Sequence, residues 1–222
     1  MPTRGILERA LRELQDEMLL LGSMVEKAID RAVRTLQTLD ADEARRLIAD
    51  DLLINQKRFQ IEEAAIQTIA TQQPMASDLR AIVAILNIIV DLERMGDHAE
   101  GIAKITLLHS AQPLLKPLID VPRMAELARG MLHQALNAFV LRDADLARRI
   151  CDEDDEVDRL HDRVYEELIG YMIRDPATIT RATYLMWVAH NLERIADRAT
   201  NICERVVFLV TGRMQELNVS KY

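Results

Sequence analysis

Four pairs of oxygen-bearing side chains recur along this sequence at a spacing of four residues: Glu93 with Asp97, Glu193 with Asp197, Asp51 with Asn55, and Asp154 with Asp158. On an α-helix, residues i and i+4 are separated by about 40° of rotation and about 6 Å of rise, so each pair projects from one face. Carboxylates placed this way can converge on a single cation. An all-oxygen donor set suits hard ions such as magnesium, manganese, calcium or iron and disfavours a structural zinc site.

The pairs belong to a duplication. Asp91-Leu92-Glu93-Arg94-Met95-Gly96-Asp97 returns 100 residues later as Asn191-Leu192-Glu193-Arg194-Ile195-Ala196-Asp197, and Ala99 and Ile102 are answered by Ala199 and Ile202. Upstream, Asp40-Ala41-Asp42-Glu43-Ala44-Arg45-Arg46 matches Asp143-Ala144-Asp145-Leu146-Ala147-Arg148-Arg149 at an offset of 103, which sets Asp51 and Asn55 against Asp154 and Asp158. Repetition at a fixed period marks a duplicated supersecondary unit. In an antiparallel hairpin the second helix of each unit would face the third, giving four oxygen ligands per half. Asn55 keeps an acceptor oxygen but lacks the charge of Asp158, so the first half is expected to hold a cation more weakly.

The elements that must position these pairs are six long helices. Leu7, Leu11, Leu14, Met18, Leu21, Val25 and Ala28 alternate steps of four and three, the pattern of a bundle seam. A second helix runs from near Asp42 to about Thr71, and a third follows Pro74 with Ile82, Ile85, Ile89, Leu92, Gly96, Ala99 and Ala103 on one stripe. Residues 110–122, with Pro113, Pro117 and Pro122, read as a linker, because proline lacks the amide hydrogen a helix interior needs. Beyond it come a helix to about Leu141, a turn at Asp143, a helix to about Ile173, and a last helix with Asp175 as cap and Pro176 at its first position. Short connections favour antiparallel neighbours, so the expected fold is all-α, two tandem pseudo-symmetric three-helix bundles over residues 1–112 and 113–222.

Composition agrees with helices and narrows function. Of 222 residues 49% are hydrophobic and 29% charged, with only 7 Gly and 6 Pro, enough for a sizeable core and poor in the residues that break helices. A net charge of -8 argues against a general nucleic-acid binder, which draws affinity from clustered Lys and Arg. The N-terminal residues lack a secretory apolar region, no apolar run is long enough to span a bilayer, and Cys151 and Cys203 read as buried thiols in a reducing compartment; a cytoplasmic protein is expected. None of the five histidines completes the Glu-x-x-His pair of a di-iron oxidase; His98 and His161 read as surface groups with a secondary claim as accessory ligands. Trp187 and Tyr184 read as core, and the methionines Met18, Met24, Met131 and Met186 as packing. With no recognisable nucleophile cluster or cofactor fingerprint, binding or sensing is favoured over an enzyme, the alternative being a carboxylate-bridged metalloenzyme on a helical bundle. Arg94 and Arg194, adjacent to the motif acids, are competing ion-pair partners for them.

Taken together, Leu92-Glu93-Arg94-Met95-Gly96-Asp97, its copy Leu192-Glu193-Arg194-Ile195-Ala196-Asp197, Pro74-Met75-Ala76-Ser77-Asp78-Leu79-Arg80 and Asn201-Ile202-Cys203-Glu204 resemble the PhoU family of phosphate-transport regulators over essentially the whole chain. The second copy departs from the family's glycine at Ala196. The resemblance implies a non-enzymatic negative regulator of phosphate uptake and of the phosphate-starvation response. It further implies an adaptor between the ATPase subunit of a phosphate ABC transporter and a sensor histidine kinase, acting as a homodimer. It also implies metal ions (iron, manganese, magnesium or zinc) at Glu93, Asp97, Glu193 and Asp197, with Asp51, Asn55, Asp154 and Asp158 beside them.

Overall fold

A computed structural model describes residues 2–109 and 112–217 of the chain. They form six long helices, α1 (Pro2–Thr38), α2 (Ala41–Gln72), α3 (Ala76–His109), α4 (Asp120–Leu141), α5 (Ala144–Arg174) and α6 (Ile179–Thr211), with no strand among the described residues. Consecutive helices run antiparallel, as the sequence periodicity requires.

The turns repeat as faithfully as the helices. Leu39 and Arg142 adopt left-handed backbone conformations (φ 51° and 52°) and are followed by Asp40 and Asp143, which cap α2 and α5. Asp40 Oδ1 accepts from the amides of Asp42 and Glu43 at 3.1 and 2.9 Å; Asp143 Oδ1 accepts from Asp145 and Leu146 at 3.0 and 2.8 Å. Each cap satisfies two of the amides that a helix start leaves without partners.

Two details differ from the sequence reading. The linker is shorter than residues 110–122, because α4 begins at Asp120 and Pro122 lies in its first turn, where its missing N–H would have had no intrahelical acceptor. Residues 110 and 111 lie outside the described residues. Asp175 does accept from the Ala177 amide at 3.0 Å, but Pro176–Thr178 form a 3-10 turn and α6 starts only at Ile179.

The two three-helix units share their interior. The helices α1, α3, α4 and α6 form a central four-helix bundle in which α1 packs on α3 and α4, and α6 on α3 and α4; α2 touches only α1 and α3, and α5 leans on α4, α6 and the 3-10 turn. A single buried cluster runs through both halves, with Met18, Leu21, Ile82, Ile89, Leu92, Met131, Leu192 and Ile195 fully enclosed. Cys151 and Cys203 are buried free thiols, and Met18 and Met131 are core as expected. Trp187 is not, with 49% of its surface exposed, because it lies on the side of α6 that no helix covers; Tyr184, one turn earlier, packs against the core.

The join between α3 and α6 preserves the duplication at the level of single contacts. Asp91 accepts from Arg198 Nη1 at 3.4 Å and from Asn201 Nδ2 at 3.1 Å, and the equivalent Asn191 Oδ1 lies 2.9 Å from His98 Nδ1. His98 therefore bridges the repeats, which corrects its reading as a surface group. Burial lowers its pKa, favouring the neutral ring.

Candidate functional site

Each outer helix lies antiparallel along one central helix, and the acidic pairs meet in the seam between them. In the first half α2 presents Asp51 and Asn55 to Glu93 and Asp97 on α3; in the second α5 presents Asp154 and Asp158 to Glu193 and Asp197 on α6. Periodicity explains the placement, since Leu92, Met95, Leu192 and Ile195 on the same turns are fully buried and leave the acids at the rim of the core.

The first seam is tight at Gly96. A Cβ there would stand 3.1 Å from Ile54 Cδ1 and 3.3 Å from Asp51 Oδ1, so the missing side chain is what lets α2 approach α3 at this level. Asp51 Oδ1 is buried without a hydrogen bond, while Oδ2 accepts from Asn55 Nδ2 at 2.9 Å. Burial, then the charges of Glu100, Asp97 and Glu93, push the Asp51 carboxyl up to about 6. Burial and Asp97 raise Glu93 as well. Arg94 holds Asp97 at 3.2 Å from one turn away and reaches Glu93 at 3.6 Å.

In the second seam Asp154 is almost wholly enclosed, with 2% exposure. Burial, assisted by Asp197 and Asp158, lifts Glu193 to about 7; its Oε2 is buried without a hydrogen bond, although His190 Nδ1 lies 3.4 Å away. Asp158 is raised by burial and by Asp197. Burial also raises Asp197, against the pull of Arg194, whose Nη1 donates to it at 2.5 Å. His161, one turn beyond Asp158, stacks near Tyr165 with its Nε2 buried, so it is not a plain surface group either.

All eight residues singled out in the sequence thus fall in two equivalent seams, four to each. The ion pairs anticipated for Arg94 and Arg194 also form, with the acid three residues on rather than with the adjacent one, as helix rotation demands. Among the described residues no three acidic, imidazole or thiolate side chains stand close enough together to hold a metal ion as they are placed. The donors suit a hard cation in kind: all are oxygens, and two carboxylate oxygens are buried with no hydrogen bond. A coordination shell needs Asp97 and Asp197 to turn away from their arginines.

Two participants escaped the sequence reading. Glu100, one turn beyond Asp97, acts on Asp51 and is bonded to Lys104 at 2.6 Å; the second half has Thr200 and Glu204 at these positions. Glu100 restores the charge that Asn55 lacks, and Lys104 draws on it again. His190 stands one turn before Glu193. Extending each motif by one turn in both directions along its i, i+3 row would have found both.

By architecture the chain is a tandem-repeat helical protein: two three-helix units, fused through a four-helix core, each with an acidic seam under its outer helix. It belongs to the PhoU family, whose domain matches residues 18–106 and 121–206. It is 38% identical to the phosphate-specific transport system accessory protein PhoU homolog of Clostridium acetobutylicum, with 97% of this chain and 99% of that one covered. To the homolog of the same name in Aquifex aeolicus it is 36% identical, with 94% of each covered. The crystal structure of PhoU from Pseudomonas aeruginosa superposes with a TM-score of 0.88 at 35% identity, covering 93% of this chain and 99% of that one. That of the phosphate transport system regulatory protein PhoU from Streptococcus pneumoniae does so with 0.86 at 34%, covering 94% and 99%. These are accessory and regulatory proteins by name, not enzymes, so the metalloenzyme alternative falls away.

Proposed function

We propose that the chain is a cytoplasmic negative regulator of phosphate uptake and of the phosphate-starvation response. It acts as an adaptor between the ATPase subunit of a phosphate ABC transporter and a sensor histidine kinase. The observation that carries this reading is the full-length match, at both repeats, to proteins named for the phosphate-specific transport system. No helix among the described residues is long and apolar enough to cross a membrane, which is compatible with a partner that meets the transporter at its ATPase.

The two seams supply the means of regulation in this proposal. A hard cation, iron, manganese, magnesium or zinc, would be held in the first half by Asp51, Glu93 and Asp97 with Asn55, and in the second by Asp154, Asp158, Glu193 and Asp197. It would relieve the mutual repulsion and burial that hold Asp51 and Glu193 above the usual carboxylate range. Arg94 and Arg194 neutralise the seam when the cation is absent and would be released toward solvent when it binds. The second seam is expected to bind more tightly, since Lys104 offsets Glu100 in the first.

Co-purification from native cells tests the adaptor role: the transporter ATPase and a histidine kinase should accompany the chain when phosphate is plentiful. Recovery of neither refutes it. Elemental analysis of the native protein beside an Asp97→Ala, Asp197→Ala variant tests the cation role, and equal metal content in the two, or none in either, refutes that part alone.

A further inference from the structure

The repeats differ most on the one surface where neither is covered. Along the outer face of α2, Leu52, Leu53, Phe59 and Ile66 are 61, 53, 53 and 56% exposed. Applying the offset that aligns the repeats, the same positions of α5 carry Asp155, Glu156, Asp162 and Ile169. The backbone setting is the same, since α5, like α2, turns its outer face to solvent. Three of four apolar residues have thus been kept on α2 where the chain's own second copy places acids. A contiguous exposed apolar stripe of this kind marks an interaction surface, whereas scattered exposed residues do not.

The charges at the two ends of the stripe say what fits it. Arg45 and Arg46 lie at its N-terminal end and Glu63 toward its C-terminal end, all exposed. Arg45 and Arg46 are engaged only in surface pairs one turn back, with Asp42 at 2.6 Å and Glu43 at 2.7 Å, which are weak enough to be exchanged. Glu63 makes no ion pair among the described residues.

We propose that this face pairs with its own copy: two chains associate through α2, antiparallel, about a two-fold axis near Gln56. In that register Leu52 and Leu53 of one chain meet Phe59 of the other. Arg46 lies about 15 Å to one side of the axis and Glu63 about 10 Å to the other, so in the antiparallel pair they come within one side chain's reach. A parallel pairing would instead set arginine against arginine and Glu63 against Glu63. The isologous contact is self-complementary in both hydrophobicity and charge, as a two-fold interface must be. The inference is independent of the cation and adaptor readings.

Sedimentation equilibrium on the full chain tests it. The wild type should be a dimer at about 50 µM, and Leu52→Asp with Phe59→Asp, which copies the residues of α5, should be monomeric with unchanged helical circular dichroism. Arg46→Glu should weaken association about tenfold and adding Glu63→Arg should restore it, a rescue that misfolding does not imitate. A monomeric wild type overturns the proposal and leaves the stripe to a different protein. A dimer indifferent to the double aspartate substitution, or a charge swap without rescue, overturns it equally.

Discussion

Replacing Glu193 by glutamine should make the metal-free protein more stable, and only at high pH. In the folded chain Glu193 is raised from an ordinary 4.5 to about 7, first by burial and then by Asp197 and Asp158. A carboxyl whose folded pKa lies above its unfolded one contributes stability that is fully present below about 4.5 and lost as pH rises through about 7. At 1.36 kcal/mol per pH unit the rise corresponds to about 3 kcal/mol at pH 8, an upper bound. The side chain keeps 22% of its exposure, so solvent screening reduces this to about 1–2 kcal/mol.

Glu193→Gln removes the titration and keeps the shape. In urea unfolding with chelator present, the variant should gain about 1–2 kcal/mol over wild type at pH 8 and close to nothing at pH 5. A millimolar hard cation should stabilise wild type at pH 8 by mass action and the variant much less. A variant equally destabilised at both pH values would refute the reasoning, because Glu193 would then be a structural hydrogen-bond partner and not a repelled charge. A gain at pH 5 as large as at pH 8 would do the same.

The same carboxylates set the acid limit of cation uptake: binding measured by isothermal titration should weaken below about pH 7 in the second seam and below about pH 6 in the first, as Glu193 and Asp51 take up protons. Affinity unchanged from pH 8 to 5.5 would argue against both sites. Gly22 of α1 has no room for a side chain, since a Cβ would stand 2.3 Å from Cδ1 of the buried Leu136 on α4; Gly22→Ala should cost about 1–2 kcal/mol by overpacking. The control Gly130→Ala, with nothing within 4 Å, should gain up to about 1 kcal/mol from helix propensity. Equal unfolding midpoints for the two would refute the close approach of α1 and α4. Asp143→Ala should cost about 1 kcal/mol by leaving the amides of Asp145 and Leu146 without their cap, measured by thermal unfolding, with Asp143→Asn retaining most of it.

How much of this was legible in the chain follows from what a one-dimensional pattern can carry. Periodicity located the helices because each has a single buried stripe, and the duplication located the seams because Asp51, Asp97, Asp154 and Asp197 recur at matching offsets. Trp187 was misplaced because its neighbours Met186 and Val188 suggest an apolar surface, while helix rotation alone decides that it turns outward. The shared four-helix core was not visible either. Which stripe of α3 meets α6 depends on contacts such as Asp91 with Arg198 and Asn201, residues 107 and 110 positions apart, which no local spacing announces. The competing readings of the motif acids, ion pairs or cation ligands, could not be separated in sequence because both use the same residues; the structure holds Asp97 and Asp197 on arginines and leaves Asp51 Oδ1 and Glu193 Oε2 without hydrogen bonds.

That division has a mechanical consequence. The outer helices α2 and α5 touch only their own repeat, so repulsion among seam carboxylates is borne at the edges of the molecule, while the central α1, α3, α4 and α6 are held by an apolar interior indifferent to it. Neutralising a seam, by cation or by proton, therefore acts first on how firmly one outer helix lies on its central partner. For α2 this helix also carries the exposed stripe of Leu52, Phe59 and Ile66, and Asp51 is the residue next to Leu52. A change in the first seam is thus transmitted to the self-pairing face within a single turn of helix, whereas a change in the second reaches only the charged outer surface of α5. Occupancy of the first seam should alter dimer affinity, and occupancy of the second should not: sedimentation of Asp51→Asn and Asp158→Asn variants with and without cation separates the two. A dimer equally sensitive to both would break the link between seam and stripe.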